Sequence, residues 1–154
     1  MNIKELLPNR KSKKKWKQGI ISPNEVTKVF SALRYEPIIY RSSWELNFIR
    51  ALEENSNVKN WGSECVEIPY LYHGTKHRYY PDFLVEAVSG EIYLIEIKPY
   101  TQSHLAESIS KYDKKSCCKN LVKWTAANKF AKSRNIRFLV LTEKNCNFLK
   151  SENK

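Results

Sequence analysis

The sequence predicts an α/β fold in which a small mixed β-sheet is flanked by α-helices. The first observation is the stretch YYPDFLVEAVSGEIYLIEIKPY (79–100), where two apolar runs flank a Ser-Gly turn, as in a β-hairpin. The second is a helical segment at about 116–133 that precedes the apolar run IRFLVLT (136–142). A strand, a helix and a second buried strand predict a parallel, right-handed crossover. Hairpin and crossover together require a mixed sheet.

Two further helices are predicted before the hairpin. The segment SPNEVTKVFSAL (22–33) starts with a capping box formed by Ser22 and Glu25, and its apolar residues recur at helical spacing. A second helix is predicted over 43–54. Strand-like segments follow, and Pro99 ends the last of them because it has no N–H to donate. These segments are 65–72, 78–88 and 91–98.

The third helix, at about 116–133, is predicted to bury one side. Leu121, Trp124, Ala127 and Ala131 line that side at helical spacing. Asn135 is expected to end the helix before the last strand. Trp124 is therefore assigned to the core rather than to a binding surface.

Charge is the outlier in the composition. Lysine and arginine number 27 against 16 aspartate and glutamate, which gives a formal net charge of +11. Such an excess attracts polyanions, so nucleic acid is the first partner expected and an anionic membrane surface the second. No apolar run approaches the ~18 residues of a membrane span, and no segment resembles a secretory signal. These features predict a protein that is made and used in a cytoplasm.

The 154 residues predict one domain with two extensions. A basic N-terminal arm is expected over 1–20, the folded domain over 21–145 and a tail over 146–154. Within the arm, NRKSKKKWK (9–17) has two interpretations. It is either a solvated segment or a segment that follows phosphates, with Trp16 stacking on a base.

The hairpin carries charges that an apolar strand does not need. Glu96 and Lys98 are two residues apart and share a face, while Asp82 opens the other strand. If residues 88–90 form a three-residue loop with Gly90 in the left-handed region, Asp82 lies directly opposite Glu96, with Cβ atoms roughly 5 Å apart. A two-residue turn would instead place Asp82 on the other face. The apolar residues of the second strand are expected to alternate, with Leu94 on one face and Tyr93, Ile95 and Ile97 on the other.

Two facing carboxylates repel each other unless a cation lies between them. Mg²⁺, for which Mn²⁺ can substitute, binds one or two carboxylates, keeps several waters and accepts phosphate oxygens of a substrate. Lys98 would point at the same place, holding a water or stabilising developing negative charge. The alternative is structural, with Asp82 as a turn residue and Glu96 and Lys98 as an ion pair at the open end of the sheet.

A third carboxylate, Glu45, lies in line with Phe48, Ile49 and Leu52, at the start of the core-facing stripe of the second helix. A carboxylate on a buried stripe needs a partner. It would bind a metal through water or orient a nucleophile. Alternatively, Glu45 only caps the helix, because Ser42 and Glu45 have the spacing of a capping box.

The order helix-Glu, P-D, E-x-K, basic helix and buried strand resembles the PD-(D/E)xK nuclease superfamily, whose members share a restriction-endonuclease-like α/β core. Five segments are similar to the endonuclease subunit of heteromeric transposases and, most of all, to the head completion proteins of T-even-type tailed phages. They are YRSSWELNFIRALEENSNVKNWGSE, IPY, YYPDFLVE, LIEIKP and KWTAANKFAKSRNIRFLVLTE. The likeness covers about residues 1–145.

The resemblance implies that Asp82 and Glu96 bind metal, that Lys98 is the catalytic lysine and that Glu45 is the helical glutamate of the site. The transposase relatives often carry Gln where this chain has Glu96, so the acid restores the commoner superfamily pattern. Lysines expected to contact DNA lie in the arm and on the third helix: Lys11, Lys13, Lys14, Lys15, Lys17 and Lys123.

The implied activity is that of a Mg²⁺-dependent DNA endonuclease that processes DNA ends of the filled phage head before tail attachment. Its partners would be double-stranded DNA and portal, neck or head proteins, in the host cytoplasm or the virion. Two alternatives remain at this point. One is a structural head or neck component that grips DNA without cutting it, and the other is a repair or junction-resolving nuclease.

Overall fold

The fold is that of a computed structural model, which describes residues 19–98 and 111–142, with side chains from residue 118 in the second of these ranges. Two α-helices and eight strands make up this part of the chain. In chain order they are β1 Gly19–Ile21, β2 Ile38–Tyr40, α1 Ser43–Glu54, β3 Val58–Ser63, β4 Ile68–Tyr72, β5 Thr75–Tyr79, β6 Phe83–Ala87, β7 Ile92–Ile97, α2 Lys111–Ser133 and β8 Arg137–Leu141.

The central sheet has four strands in the order β3-β6-β7-β8. Strand β7 is antiparallel to β6 and parallel to β8, so the predicted mixed sheet is confirmed. The other two sheets are two-stranded ribbons, β1-β2 and β4-β5. Strand β1 begins at Gly19, inside the segment predicted as the basic arm.

The β6-β7 loop has the geometry that the sequence predicts. The Ala87 carbonyl accepts a hydrogen bond from the Gly90 N–H, and the Ala87 N–H donates to the Glu91 carbonyl, both at 2.9 Å. Gly90 has a φ of +91°, which an L side chain would adopt only with strain. The strands are therefore paired with Phe83 opposite Ile95, as predicted.

Each face of the central sheet carries its own apolar core. On one face, Leu84 and Leu94 pack with Trp124 of α2 and with the β4-β5 ribbon. On the other, Phe83 and Ile95 pack with residues of α1 and β3. The alternation predicted for β7 is thus confirmed, and the site described below lies at the end of a strand buried on both faces.

The segment 22–33 does not form the predicted α-helix. Ser22 and Glu25 make the capping box, but it caps only a 3₁₀ turn, Pro23–Glu25. The following backbone bonds to β3 instead: the Trp61 N–H donates to the Lys28 carbonyl at 2.9 Å, and the Phe30 N–H donates to the Trp61 carbonyl at 3.0 Å. These tertiary hydrogen bonds override the local helical pattern.

The strand prediction missed β1, β2 and β3 and was wrong over 78–88. The segment 78–88 is not one strand, because the chain leaves the ribbon after Tyr79 and enters the central sheet at Phe83. Strand β3, at the edge of the central sheet, was not predicted at all. Its sequence, VKNWGS, shows no strict alternation, and its pairing with β6 includes a register shift near Lys59.

The predicted third helix exists but is longer, since α2 begins at Lys111. Leu121 was wrongly placed on its buried side and is 45% exposed, whereas Asn120 is 5% exposed. The buried stripe runs through Asn120, Trp124, Ala127 and Ala131, and Leu121 projects well to one side of it. Asn135 follows the helix with a φ of +54°, in agreement with the predicted end.

Glu53 joins α1 to the irregular segment before β2. Its carboxylate accepts hydrogen bonds from the Thr27 N–H and hydroxyl at 2.9 Å, from the Lys28 N–H at 3.1 Å and from the Trp61 indole N–H at 2.7 Å. Partial burial alone would raise the pKa of Glu53, but these hydrogen bonds hold that pKa below its ordinary value. The ionised carboxylate therefore stabilises the fold.

We expect Glu53→Gln to lower the free energy of unfolding at pH 7 by about 1–2 kcal/mol, since it removes a charged acceptor shared by several donors. A carboxylate with a lowered pKa stabilises the protein above its unfolded pKa of ~4.3, and this contribution is lost as the pH falls through the folded value. Urea unfolding at pH 7 and pH 3.5 should therefore show a smaller difference between variant and parent at the acidic pH.

The adjacent, exposed Glu54 supplies the control. Glu54→Gln should change the free energy of unfolding little at either pH. An equal destabilisation by Glu53→Gln at both pH values would contradict the electrostatic explanation.

Candidate active site

Asp82 lies directly before β6, and Glu96 lies near the end of β7. Phe83 and Ile95 are the last paired residues of the ladder between these strands. Beyond them, the Asp82 carboxylate accepts a hydrogen bond from the Ile97 N–H at 2.8 Å. The two acids are thus at the same end of the hairpin, and their direct opposition stays a prediction.

Glu96 is 4% exposed and is held at both oxygens. Its Oε2 accepts a hydrogen bond from the Tyr79 hydroxyl at 2.8 Å, and its Oε1 lies 3.5 Å from the Lys98 Nζ. A buried carboxylate requires such compensation, because desolvation disfavours its charge. The contacts orient the carboxylate at the end of the strand.

Lys98 lies beside the acids in its charged form. Its N–H donates to the Leu141 carbonyl of β8 at 3.0 Å, which fixes the backbone where the lysine side chain departs. Burial would lower the pKa of Lys98, but the negative charges of Glu96, Asp82 and Glu45 together raise it above its ordinary value. Lys98 is therefore a cation at neutral pH, suited to stabilise negative charge rather than to accept a proton.

Glu45 occupies the first turn of α1. Its N–H donates to the Ser42 Oγ at 3.1 Å, and its Oε2 accepts from the Arg41 N–H at 3.0 Å. The predicted capping box is thus met on one side only, because the carboxylate bonds to the residue before the cap. The charge of Glu45 also contributes, after those of Glu96 and Asp82, to the raised pKa of Lys98.

The residues fit a metal that needs few protein ligands. In the ranges that the structure describes, no group of three or more His, Cys, Asp or Glu side chains is close enough to form a preformed metal cluster. Glu45 is therefore not a third direct member of such a cluster here. Asp82 and Glu96 still suit a hard cation that takes one or two carboxylates and fills its other positions with water and phosphate oxygens.

Tyr79 is a site residue that the sequence did not reveal. Burial, followed by the charges of Glu96 and Asp82, raises the pKa of Tyr79 well above its ordinary value, so its hydroxyl stays a donor to Glu96. Adjacent Tyr80 donates instead to Glu67 at 2.7 Å. The sequence YYPD does not show which tyrosine bonds to Glu96, because that depends on how the β4-β5 ribbon packs against α2.

Comparison with known proteins decides the family. The family described as "TnsA-like endonuclease N terminal" matches residues 55–143, a range that includes Asp82, Glu96 and Lys98. This chain belongs to that endonuclease family. It is also 36% identical over 132 residues to the head completion nuclease of Enterobacteria phage T4, and the match covers 77% of this chain and 88% of the T4 protein. The predicted family and fold class are confirmed.

The surface of this TnsA-like endonuclease next to the acids carries lysines of α2. The Lys123 Nζ lies 5.6 Å from the centre of the Tyr79 ring, and one turn earlier the Lys119 Nζ lies 5.8 Å from the Tyr72 ring. Trp124 is 8% exposed and belongs to the core, as predicted. The indole nitrogen of Trp124 makes no well-aligned hydrogen bond. It lies close to the Tyr79 hydroxyl and slightly offsets the rise in the pKa of Tyr79.

The five lysines predicted to contact DNA from the arm lie outside the described residues, as does Trp16. Those lysines are Lys11, Lys13, Lys14, Lys15 and Lys17. Within the described part of this endonuclease, neither helix is apolar enough over a sufficient length to cross a membrane.

Tyr79→Phe tests whether the hydroxyl orients Glu96. We expect the variant to fold and to need about tenfold more Mg²⁺ for half-maximal DNA cleavage, because removing a partner of a metal-binding carboxylate typically weakens metal affinity by about 10–100-fold. The measurement is the initial cleavage rate of plasmid DNA as Mg²⁺ is titrated. Tyr80→Phe is the matched control and should leave the titration unchanged; an equal shift in both variants would rule out a specific role for Tyr79.

Proposed function

We propose that this endonuclease hydrolyses DNA phosphodiester bonds with Mg²⁺, or Mn²⁺ in its place, held between Asp82 and Glu96. The observation that carries the proposal is that Asp82, Glu96 and the charged Lys98 lie at one end of the β6-β7 hairpin. A bound divalent metal would lower the pKa of a water molecule and polarise a phosphate oxygen.

The protein's own groups have separate tasks in this reaction. The Ile97 N–H orients Asp82, and the Tyr79 hydroxyl orients Glu96. Lys98 stabilises the negative charge that develops on the phosphoryl oxygens, and it can also hold the attacking water. These groups are preorganised by the strand ladder, so little reorganisation is needed when charge develops.

Glu45 assists from the end of α1. The Arg41 N–H donates a hydrogen bond to the Glu45 Oε2. The Glu45 carboxylate is therefore positioned by the segment at the start of α1 and not by the central sheet. We assign it the positioning of a water molecule, either the nucleophile or one that binds the metal. This role is consistent with its electrostatic effect on Lys98 and with its separation from a preformed cluster.

We propose that the biological role is phage head completion, in which the enzyme processes DNA ends of the filled capsid before the tail attaches. The similarity to the head completion nuclease of Enterobacteria phage T4 over most of both chains supports this role. The partners would be double-stranded DNA and the portal, neck or head proteins that surround it. The place of action would be the host cytoplasm, with the virion as a second location.

A non-catalytic DNA-binding component of the head or neck is the second candidate, favoured by the net charge of +11. The placement of Asp82, Glu96 and Lys98 at one end of the hairpin argues against it, because neighbouring carboxylates are unfavourable on a surface that only has to bind DNA. A junction-resolving nuclease would share the site and differ in substrate. Comparison of branched with linear DNA separates that possibility.

The proposed activity predicts cleavage of supercoiled and linear DNA with Mg²⁺ or Mn²⁺ and none with EDTA. Asp82→Asn and Glu96→Gln should each reduce cleavage at least about a hundredfold, because each removes a charged metal ligand. DNA binding without metal should persist in both variants. Gel assays and fluorescence anisotropy provide the two measurements.

Glu86→Gln is the matched control, since Glu86 lies on β6 beyond the site and pairs with Lys59. It should cut DNA at the parental rate. A parent protein that binds DNA in a salt-sensitive manner and does not cut it would support the structural candidate instead. Preferential cutting of branched DNA would support a junction-resolving nuclease.

Charge neutralisation in the arm should weaken DNA binding. Replacing Lys13, Lys14 and Lys15 by Gln is expected to reduce the slope of log affinity against log salt by about 0.9 for each phosphate that the arm no longer neutralises. Anisotropy titrations at several salt concentrations measure this slope. The control replaces three exposed lysines outside the arm by Gln: Lys76, Lys129 and Lys132. Equal slopes for the two triple variants would show that the arm contributes only to net charge.

A further inference from the structure

A partly buried ion pair connects the segments that carry Glu45 and Asp82, and neither of its members belongs to the predicted set. The Arg41 Nη1 is 3.0 Å from the Glu64 Oε1, and the two side chains are only 17% and 9% exposed. Apart from the Lys98–Glu96 pair of the site itself, the other ion pairs in the described ranges have mostly exposed cations, as in Lys59–Glu86, where Lys59 is 59% exposed. Exposed pairs of that kind contribute little, whereas a buried pair depends strongly on both partners.

The backbone N–H of each member of the pair donates a hydrogen bond to a residue of the site, in one case to a carboxylate and in the other to a main-chain carbonyl. The Arg41 N–H donates to the Glu45 Oε2 at 3.0 Å. The Glu64 N–H donates to the carbonyl of Asp82 at 2.9 Å. The ion pair therefore completes a chain of contacts from the first turn of α1 to the start of β6.

The backbone of Glu64 has an unusual conformation that allows its contacts with both Asp82 and Arg41. Its φ is +47°, in the left-handed region that non-glycine residues rarely occupy. Such a conformation persists where surrounding contacts over-determine it. Immediately after β3 ends at Ser63, this turn presents the Glu64 N–H to Asp82 while its carboxylate reaches Arg41.

The guanidinium of Arg41 relies on Glu64 for its compensation. Its Nε and Nη1 are shielded from solvent and form no well-aligned hydrogen bond. The 3.0 Å contact to Glu64 is therefore one of charge rather than of ideal hydrogen-bond geometry. Removing the Glu64 carboxylate would leave the Arg41 charge buried without that compensation, and the local backbone would then have to move.

We propose that Arg41 and Glu64 are a positioning pair that sets the distance of Glu45 from Asp82 and Glu96 and thereby tunes the affinity of the site for a divalent metal. This inference rests on the proposed function. Neither residue is assigned a contact with the reacting atoms. Their effect passes through the backbone hydrogen bonds to Glu45 and Asp82.

The test uses the full chain carrying Arg41→Gln together with Glu64→Gln. The double variant replaces two partly buried charges by neutral polar groups, so it leaves neither charge without its partner. Isothermal titration calorimetry with MgCl₂ and with MnCl₂ should show metal affinity reduced about tenfold, the lower end of the range for outer partners of metal ligands. Cleavage at saturating Mg²⁺ should fall much less than cleavage at limiting Mg²⁺.

Two further variants keep the test specific. Lys59→Gln with Glu86→Gln removes an ion pair on β3 and β6 away from the site and should leave metal affinity unchanged. Arg41→Lys keeps the positive charge opposite Glu64 and should recover most of the affinity that Arg41→Gln loses. Circular dichroism confirms that the compared variants are folded.

Metal affinity of the folded double variant within twofold of the parent would overturn the inference, as would a failure of Arg41→Lys to exceed Arg41→Gln. A purely structural pair would lower the unfolding temperature without moving metal affinity. If the parent neither binds Mg²⁺ nor cuts DNA, the proposed function itself fails. If the parent does both and the double variant matches it, only the positioning role fails.

Discussion

The placement of Asp82 and Glu96 at one end of the β6-β7 hairpin is the constraint on which the site depends. Neighbouring like charges are unfavourable, so the structure supplies each carboxylate with fixed partners. The register of this hairpin is set at its other end, where Gly90 takes a positive φ. A loop far from the chemistry thus determines whether the acids share a face.

The predictable part of the site is local in sequence. The Gly90 loop, the alternation of β7 and the helix carrying Glu45 each follow from a few neighbouring residues, and the structure agrees with all three. The family resemblance then gives these residues their expected roles. Those roles stay predictions, which the substitutions of Asp82 and Glu96 test.

The missed features are those that long-range contacts decide. The 22–33 segment has a helical pattern, yet its backbone bonds to β3, a strand whose own sequence carries no clear strand signal. Tyr79 gains its role from a ribbon that packs on α2, and Glu64 gains its role from partners in two other elements. No pattern within a short window could have specified these partners.

The parallel pairing of β8 with β7 has a consequence for the order of events during synthesis. Lys98 is anchored by the carbonyl of Leu141, beyond the whole of α2, whereas the acids lie in the hairpin made earlier. A growing chain therefore presents its carboxylates before the strand that steadies the lysine exists. The complete candidate site is therefore a late product of folding, since its lysine is anchored only after β8 has been synthesised.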